Sequence, residues 1–141
     1  MISKTNVIEF VRNADERGTL TAGEYPVSLP FEVRRFFLVK DVPTGDTRGN
    51  HAHWKCHQLL VCTAGRVEVI IRARDGSKTV INLDNADRGL HIPPLVWAQQ
   101  RYLTPDAMLL VFASHEYENS DYIRDFEEYV ALQPTSNVPT L

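Results

Sequence analysis

Cysteine is scarce in this chain: Cys56 and Cys62 are the only two. Two thiols do not make a disulfide framework, and both fall in or beside an apolar run, so they read as reduced, half-buried side chains without chemistry of their own. Long hydrophobic runs are missing too. No stretch approaches the roughly 20 apolar residues that cross a bilayer, and the opening "MISKTNVIEF" lacks the basic stretch and unbroken apolar segment of a secretory leader. The expectation is a cytoplasmic protein without a membrane partner. Basic charge is not in surplus either. Fifteen Lys and Arg stand against 18 Asp and Glu, for a net charge of -3, and the basic residues are dispersed, which argues against nucleic acid as a partner. What remains, 43% apolar and 23% charged residues in a chain of 141, describes a soluble globular protein the size of one domain, with a small molecule as its partner.

From residue 31 onward, short β-branched or aromatic runs alternate with Gly, Pro, Asp and Asn: "FEVRRFFLV", "HQLLVCTA", "RVEVIIRA", "KTVINL", "GLHIP", "AMLLVFAS". This spacing predicts an all-β sandwich or barrel. In "RVEVIIRA", Val67, Val69 and Ile71 share one face, so that strand is half-buried. "RDGS" at 74–77 predicts a hairpin turn into "KTVINL", because glycine accepts the positive φ such a turn needs. Helical periodicity occurs once, in "YENSDYIRDFEEYVAL", with Ser120 or Asp121 as N-cap and Tyr122, Phe126, Tyr129 and Val130 along one stripe. The expected organisation is a single domain over 1–132 and a loosely held tail over 133–141, where turn formers replace any apolar period.

Three of the five histidines sit close together in "TRGNHAHWKCHQ", residues 47–58. Side chains alternate along a strand, so His51 and His53 face the same way and Ala52 the other. His57 joins them only if no bulge or turn intervenes across "WKC". Three readings are open at this point: a metal site, an acid/base pair, or a polar strand. Two imidazoles without an anionic ligand hold a divalent transition metal poorly. Imidazole does titrate near neutral pH, so the pair suits proton removal and return.

The longer spacing resembles the first motif of the cupin superfamily, a double-stranded β-helix or jelly-roll barrel: Gly45, five residues, His51-Ala-His53, four residues, Gln58, six residues, Gly65. Gln58 stands where a metal-binding glutamate is usual, and the second motif, in "RGLHIPPLVWAQQ", has Trp97, Ala98 and Gln99 where a ligand histidine is expected. By that resemblance the chain is a cupin with a short C-terminal helix and no metal. A narrower likeness runs through "DERGTL" and Glu24, "PFEVRRFF", "RGNHAHWKCHQLLVCTAG", "LDNADRGLHIPPLVW" and "HEYENSDYIRDFEEY". These segments resemble the dTDP-4-keto-6-deoxyglucose 3,4-ketoisomerases, metal-free cupins that supply 3-keto sugars to aminotransferases.

The resemblance implies that His51 and His53 are catalytic and that no cofactor is used. It places Arg17, Arg48, Gln58 and Trp97 around a nucleotide sugar, with Arg35 a further candidate for its diphosphate. The chemistry agrees with such a set. Arginine pairs with diphosphate through its planar fork, for which Arg88 and Arg101 are further candidates, and Trp97 or Tyr102 offers an aromatic shelf for thymine. One departure stands out: relatives commonly carry tyrosine just after the arginine matched by Arg35, and this chain has Phe36 and Phe37. His91 reads as a satisfied core or rim histidine, His115 has no assigned role, and Tyr117 and Tyr122 read as packing. A dTDP-sugar 3,5-epimerase and a non-catalytic sugar-nucleotide-binding cupin are the rival readings. The apolar early strands after "MISK" are expected to support a homodimer.

Overall fold

The computed structural model describes residues 5–132; the tail expected over 133–141 lies outside the described residues. The strands, in chain order, are β1 (Asn6–Glu9), β2 (Val11–Asp15), β3 (Gly18–Ala22), β4 (Arg35–Val39), β5 (Thr47–His53) and β6 (Gln58–Ala64). They continue with β7 (Val67–Arg72), β8 (Lys78–Leu83), β9 (Arg88–Ile92), β10 (Trp97–Tyr102), β11 (Met108–Ala113) and β12 (Tyr122–Ile123), before one helix, α1 (Phe126–Ala131). Two five-stranded antiparallel sheets result, ordered β1-β9-β6-β11-β4 and β12-β5-β10-β7-β8, while β2 and β3 pair only with each other. The arrangement is a cupin-like β-sandwich.

The apolar alternation legible in the sequence becomes the filling between the sheets. Leu60 and Leu109 from the first sheet meet Val67, Val69 and Leu83 from the second, all essentially inaccessible to solvent. Burying a side chain of this size contributes roughly 1.5–3 kcal/mol, which makes this layer the main source of stability. The Asp75-Gly76 turn joins β7 to β8 as expected, with Gly76 at φ +90° and Ala73 N–H donating to the Ser77 carbonyl at 2.8 Å.

The C-terminal segment departs from its expected form. Residues 119–121 make one 3-10 turn and 122–123 pair with β5 as β12, so the helix begins only at Phe126. Its N-cap is Asp125, whose side chain accepts from Glu127 N–H at 3.0 Å, in place of Ser120 or Asp121. Edge pairing of Tyr122 and Ile123 to β5 takes up these residues in strand form, and the aromatic stripe divides accordingly. Tyr129 and Phe126 pack with Trp97 on the outer face of the second sheet, whereas Tyr122 turns toward the cleft between the sheets.

A bulge in β5 shapes that cleft. Opposite β5, Ala98 aligns with His51 and Gln99 with Gly49, leaving Asn50 unmatched. Both Gly49 and Asn50 have positive φ, +91° and +65°. Residues 48 and 51 would face opposite ways on a regular strand; the extra residue returns Arg48 to the side of His51. The φ of Gly49 favours glycine at the bulge, where a Cβ would also push against the Gln100 amide at 2.6 Å.

Candidate active site

The cleft between the sheets encloses about 290 Å³. Its first-sheet wall is apolar, formed by Phe37 and Val39 of β4, Leu60 of β6, and Leu109 and Val111 of β11, with the Gln58 amide at one end. The opposite wall is polar: Arg48 and His51 of β5, Gln100 and Tyr102 of β10, and Tyr122 and Arg124 beyond β12. A concave cavity with one apolar wall and convergent polar groups on the other is a form that small-molecule sites take.

His51 and His53 share this side of β5, as strand alternation dictates, with ring centroids 4.9 Å apart and planes at 89°. Tyr122 closes the cluster, 4.9 Å from the His51 ring and 4.3 Å from that of His53. Burial, with the neighbouring His53 adding to it, holds the His51 pKa down at about 4. Burial also lowers that of His53, and outweighs the opposing hydrogen bond and charge of Asp121. Both rings are therefore neutral at physiological pH, the form in which imidazole accepts a proton.

His53 is only 5% exposed and its Nδ1 lies 3.0 Å from Asp121 Oδ2. The same carboxylate accepts two backbone N–H groups, Lys55 at 2.8 Å on Oδ1 and Cys56 at 3.2 Å on Oδ2. His53 Nε2 is buried and has no hydrogen-bond partner.

Not every residue singled out from the sequence reaches the cleft. Gln58, 6% exposed, does, and so do Arg48 and Tyr102. The Tyr102 hydroxyl is buried without a hydrogen-bond partner, and burial pushes its pKa up to about 12, leaving it a donor. Arg35 is not part of the cleft wall. It lies over the rings of Phe37 and Tyr117, at 5.4 and 5.6 Å from their centroids, and donates to the His115 carbonyl at 3.2 Å.

Two residues expected around the nucleotide sugar lie outside this cleft. Trp97 is 3% exposed and packs with Ala52, Ile123 and Tyr129 on the outer face of the second sheet. Alternation along β10 puts Gln100 and Tyr102 in the cleft and Trp97 behind it, so Trp97 is no shelf for a base within this chain. Arg17 sits at the tip of the β2–β3 hairpin, its side chain 85% exposed and paired with Asp15 at 2.8 Å, outside the cleft of its own chain. Arg101 bonds the Gly45 carbonyl at 3.2 Å, and Arg88 bonds the Asn82 carbonyl.

His57 and His91 form a separate pair. The turn across Trp54–Cys56 carries His57 away from His51 and His53, onto the outer face of the first sheet. There its Nδ1 meets His91 Nε2 at 2.9 Å, with both rings beside Phe31. Four polar residues at the site were missed from the sequence: Asp121, Arg124 and Gln100, and Tyr122, which was read as packing but lines the cleft. A local signal was present, since "SDYIRD" combines an acid, a phenol and a base in six positions. Its placement beside His53 depends on a strand pairing 68 residues distant, which spacing does not reveal.

The ligand set of a cupin metal site does not fit these residues. Gln58 is a neutral amide, and Trp97, near the second-motif ligand position, is packed outside the cleft. His53, Cys56 and Asp121 have donor atoms within 4.8 Å of one another, but His53 Nδ1 is engaged with Asp121 and Cys56 Sγ donates to the His57 carbonyl at 3.3 Å.

The family described as "FdtA: WxcM-like, C-terminal" matches residues 3–134. A TDP-4-oxo-6-deoxy-alpha-D-glucose-3,4-oxoisomerase of Aneurinibacillus thermoaerophilus is 36% identical over 132 residues, covering 91% of this chain and 94% of that protein. QdtA, a sugar 3,4-ketoisomerase of Thermoanaerobacterium thermosaccharolyticum solved with TDP, superposes with a TM-score of 0.87 at 36% identity, over 92% of this chain and 94% of that one. A histidine-to-asparagine mutant of QdtA solved with TDP-4-keto-6-deoxyglucose gives a TM-score of 0.90 at 33% identity, over 99% of this chain and 100% of that one.

Proposed function

The chain belongs to the FdtA family, WxcM-like C-terminal, and on that premise we propose that it is a TDP-sugar 3,4-ketoisomerase acting on dTDP-4-keto-6-deoxyglucose. The observation that carries the reading is the pair of neutral imidazoles, His51 lining a cleft with donors on its polar wall and His53 buried against it. That the relatives matched over nine-tenths of the chain are named 3,4-isomerases supports the same conclusion.

The C4 carbonyl acidifies the proton on C3. His51, which lines the cleft, removes that proton; a C3=C4 double bond forms and negative charge develops on O4. The proton of the C3 hydroxyl passes to O4 to balance the enediol, and protonation of C4 then leaves the ketone at C3. Substrate and product have the same atoms and oxidation state, so no redox cofactor takes part. Arg48 and Gln58 are donors for a developing oxyanion, and Arg48 and Arg124 are the arginines of the cleft available to a diphosphate oxygen. Tyr102, a buried phenol held protonated, serves as a donor to the bound ligand.

The product enters dideoxyaminosugar synthesis for surface glycan such as lipopolysaccharide, in the cytoplasm, where nucleotide sugars are handled. The active form is a homodimer. Phe36 is 67% exposed on the outer face of β4, and Val11 and Leu20 are 57% and 58% exposed on a hairpin that pairs with nothing else in the described chain. Apolar area of this kind is ordinarily covered by a second subunit. Light scattering is expected to give twice the chain mass.

Proton NMR of dTDP-4-keto-6-deoxyglucose incubated with the protein in D₂O tests the activity. The expected result is loss of the C3 proton signal, a new 3-keto sugar, and deuterium at C4. Exchange at C3 and C5 with the ketone still at C4 identifies an epimerase, and absence of any exchange identifies a binding protein.

A further inference from the structure

The carboxylate of Asp121 is buried, with 6% of its side chain exposed, and it is the only group hydrogen-bonded to the His53 ring among the described residues. A carboxylate oxygen that already receives backbone N–H groups acts as acceptor, so the shared hydrogen comes from His53 Nδ1. The other ring nitrogen, Nε2, is buried and unpartnered, in a ring packed against His51 and Tyr122.

Resting on the ketoisomerase reading, we propose that Asp121 is a positioning residue of the reaction: it holds His53 as the Nδ1–H tautomer, leaves Nε2 as the proton acceptor beside His51, and balances the imidazolium formed when His53 takes a proton. His51 has no such partner. The cations that act on the His pair are Arg35 of β4 and Arg124 after β12, and both disfavour charge on it. His53 disfavours charge on His51, whose one aid is the backbone hydrogen bond of Gly49. Against these, Asp121 is the one group that favours a proton on His53, while Tyr122 and Cys56 complete its polar surroundings. A proton shared between the two imidazoles during turnover is therefore better held on His53.

The sequence supports this by an unusual construction. Asp121 ends the 3-10 turn, and three bonds tie it to the loop that follows β5: its carbonyl accepts from Trp54 N–H at 2.9 Å, Oδ1 from Lys55 and Oδ2 from Cys56. The carboxylate is thus fixed relative to the strand that carries both histidines, and the ring it touches is fixed with it.

The wild-type protein provides the first test. Nitrogen-15 NMR of the His53 ring is expected to show a protonated Nδ1 and a bare Nε2 at neutral pH; a protonated Nε2 with a bare Nδ1 overturns the proposal. The second test is Asp121→Asn, which removes the charge that balances the His53 imidazolium and one of the acceptors that hold the loop and Nδ1–H. Its kcat is expected to fall roughly 10²–10⁴-fold, with KM and dTDP affinity within a few-fold. Because Asp121 raises the proton affinity of His53, the acid limb of kcat/KM against pH is expected to move to lower pH in the variant. A folded Asp121→Asn protein with wild-type kcat and an unmoved acid limb overturns the proposal. If this variant does not fold, the wild-type spectrum decides alone. Failure of the wild-type protein to turn over the keto sugar defeats the ketoisomerase reading and leaves the tautomer measurement standing.

Discussion

This chain contains two histidine pairs, and they show what makes an imidazole pair usable for proton transfer. His51 and His53 meet edge to face, their centroids 4.9 Å apart, at a cleft with arginine, amide and phenol donors and with one buried carboxylate behind them. His57 and His91 stack at 17° with 5.2 Å between centroids, bonded directly to each other at 2.9 Å. The second pair satisfies itself. Burial, with His57 adding to it, holds the His91 pKa at about 4, and burial and His115 lower that of His57, but no carboxylate is hydrogen-bonded to either ring among the described residues. Shifted proton affinity is common to both pairs; a cavity for substrate and a counter-charge for the imidazolium belong to one.

The sharpest way to break this comparison is to remove one ring from each pair. His51→Asn is expected to lower the isomerisation rate by roughly 10²–10⁴-fold while dTDP affinity stays within a few-fold. Steady-state kinetics and calorimetric titration with dTDP separate those two effects. His53→Asn is expected to be slow as well, at least as far below wild type as Asp121→Asn, because it removes the ring that Asp121 positions. His91→Gln is expected to leave kcat within a few-fold, since an amide at that site still bonds to His57 outside the cleft.

A smaller effect probes the missing phenol. Phe37 lines the cleft, whereas Phe36 faces solvent, so Phe37→Tyr is expected to fold with a melting temperature close to wild type and to change the rate or the configuration at C4 of the product. A lowered melting temperature with unchanged chemistry would place the new hydroxyl among the apolar residues Val39 and Val111, at a cost of about 1–3 kcal/mol for an unpaired buried donor.

Acid acts on the outer pair in the same direction as on the cleft pair. Both rings of the outer pair are less basic folded than unfolded. The unfolded chain therefore binds more protons below about pH 6.5, and the stability this pair supports is present above that value and declines toward pH 4. Denaturant midpoints at pH 7.5 and 5 are expected to differ in wild type and to differ less in His91→Gln. The smallest effect is expected from chelation. Isomerase activity should be the same with and without EDTA, because Gln58 and the displaced Trp97 leave the cupin ligand set incomplete.

The sequence made the barrel legible because its strands are short and regular: alternation in β7, the Asp-Gly turn and the spacing of apolar runs depend on neighbours alone. The pairing of His51 with His53 was legible for the same reason. Arg48 is different, since strand alternation by itself puts it on the wrong face, and only the Gly49–Asn50 bulge returns it to the cleft. Trp97 was misplaced because motif position says nothing of which face of β10 a residue takes. Asp121 and Tyr122 stayed hidden behind a helical pattern that edge pairing to β5 overrode.

The division of labour between the two pairs is tested most directly by following deuterium incorporation at C4 of the sugar by proton NMR in D₂O, with wild type, His51→Asn and His91→Gln compared at equal enzyme concentration. The expected result is incorporation in wild type and His91→Gln at rates within a few-fold of each other, and almost none in His51→Asn. Incorporation by His51→Asn at the wild-type rate, or its loss in a folded His91→Gln protein, would contradict the assignment of proton transfer to the cleft pair.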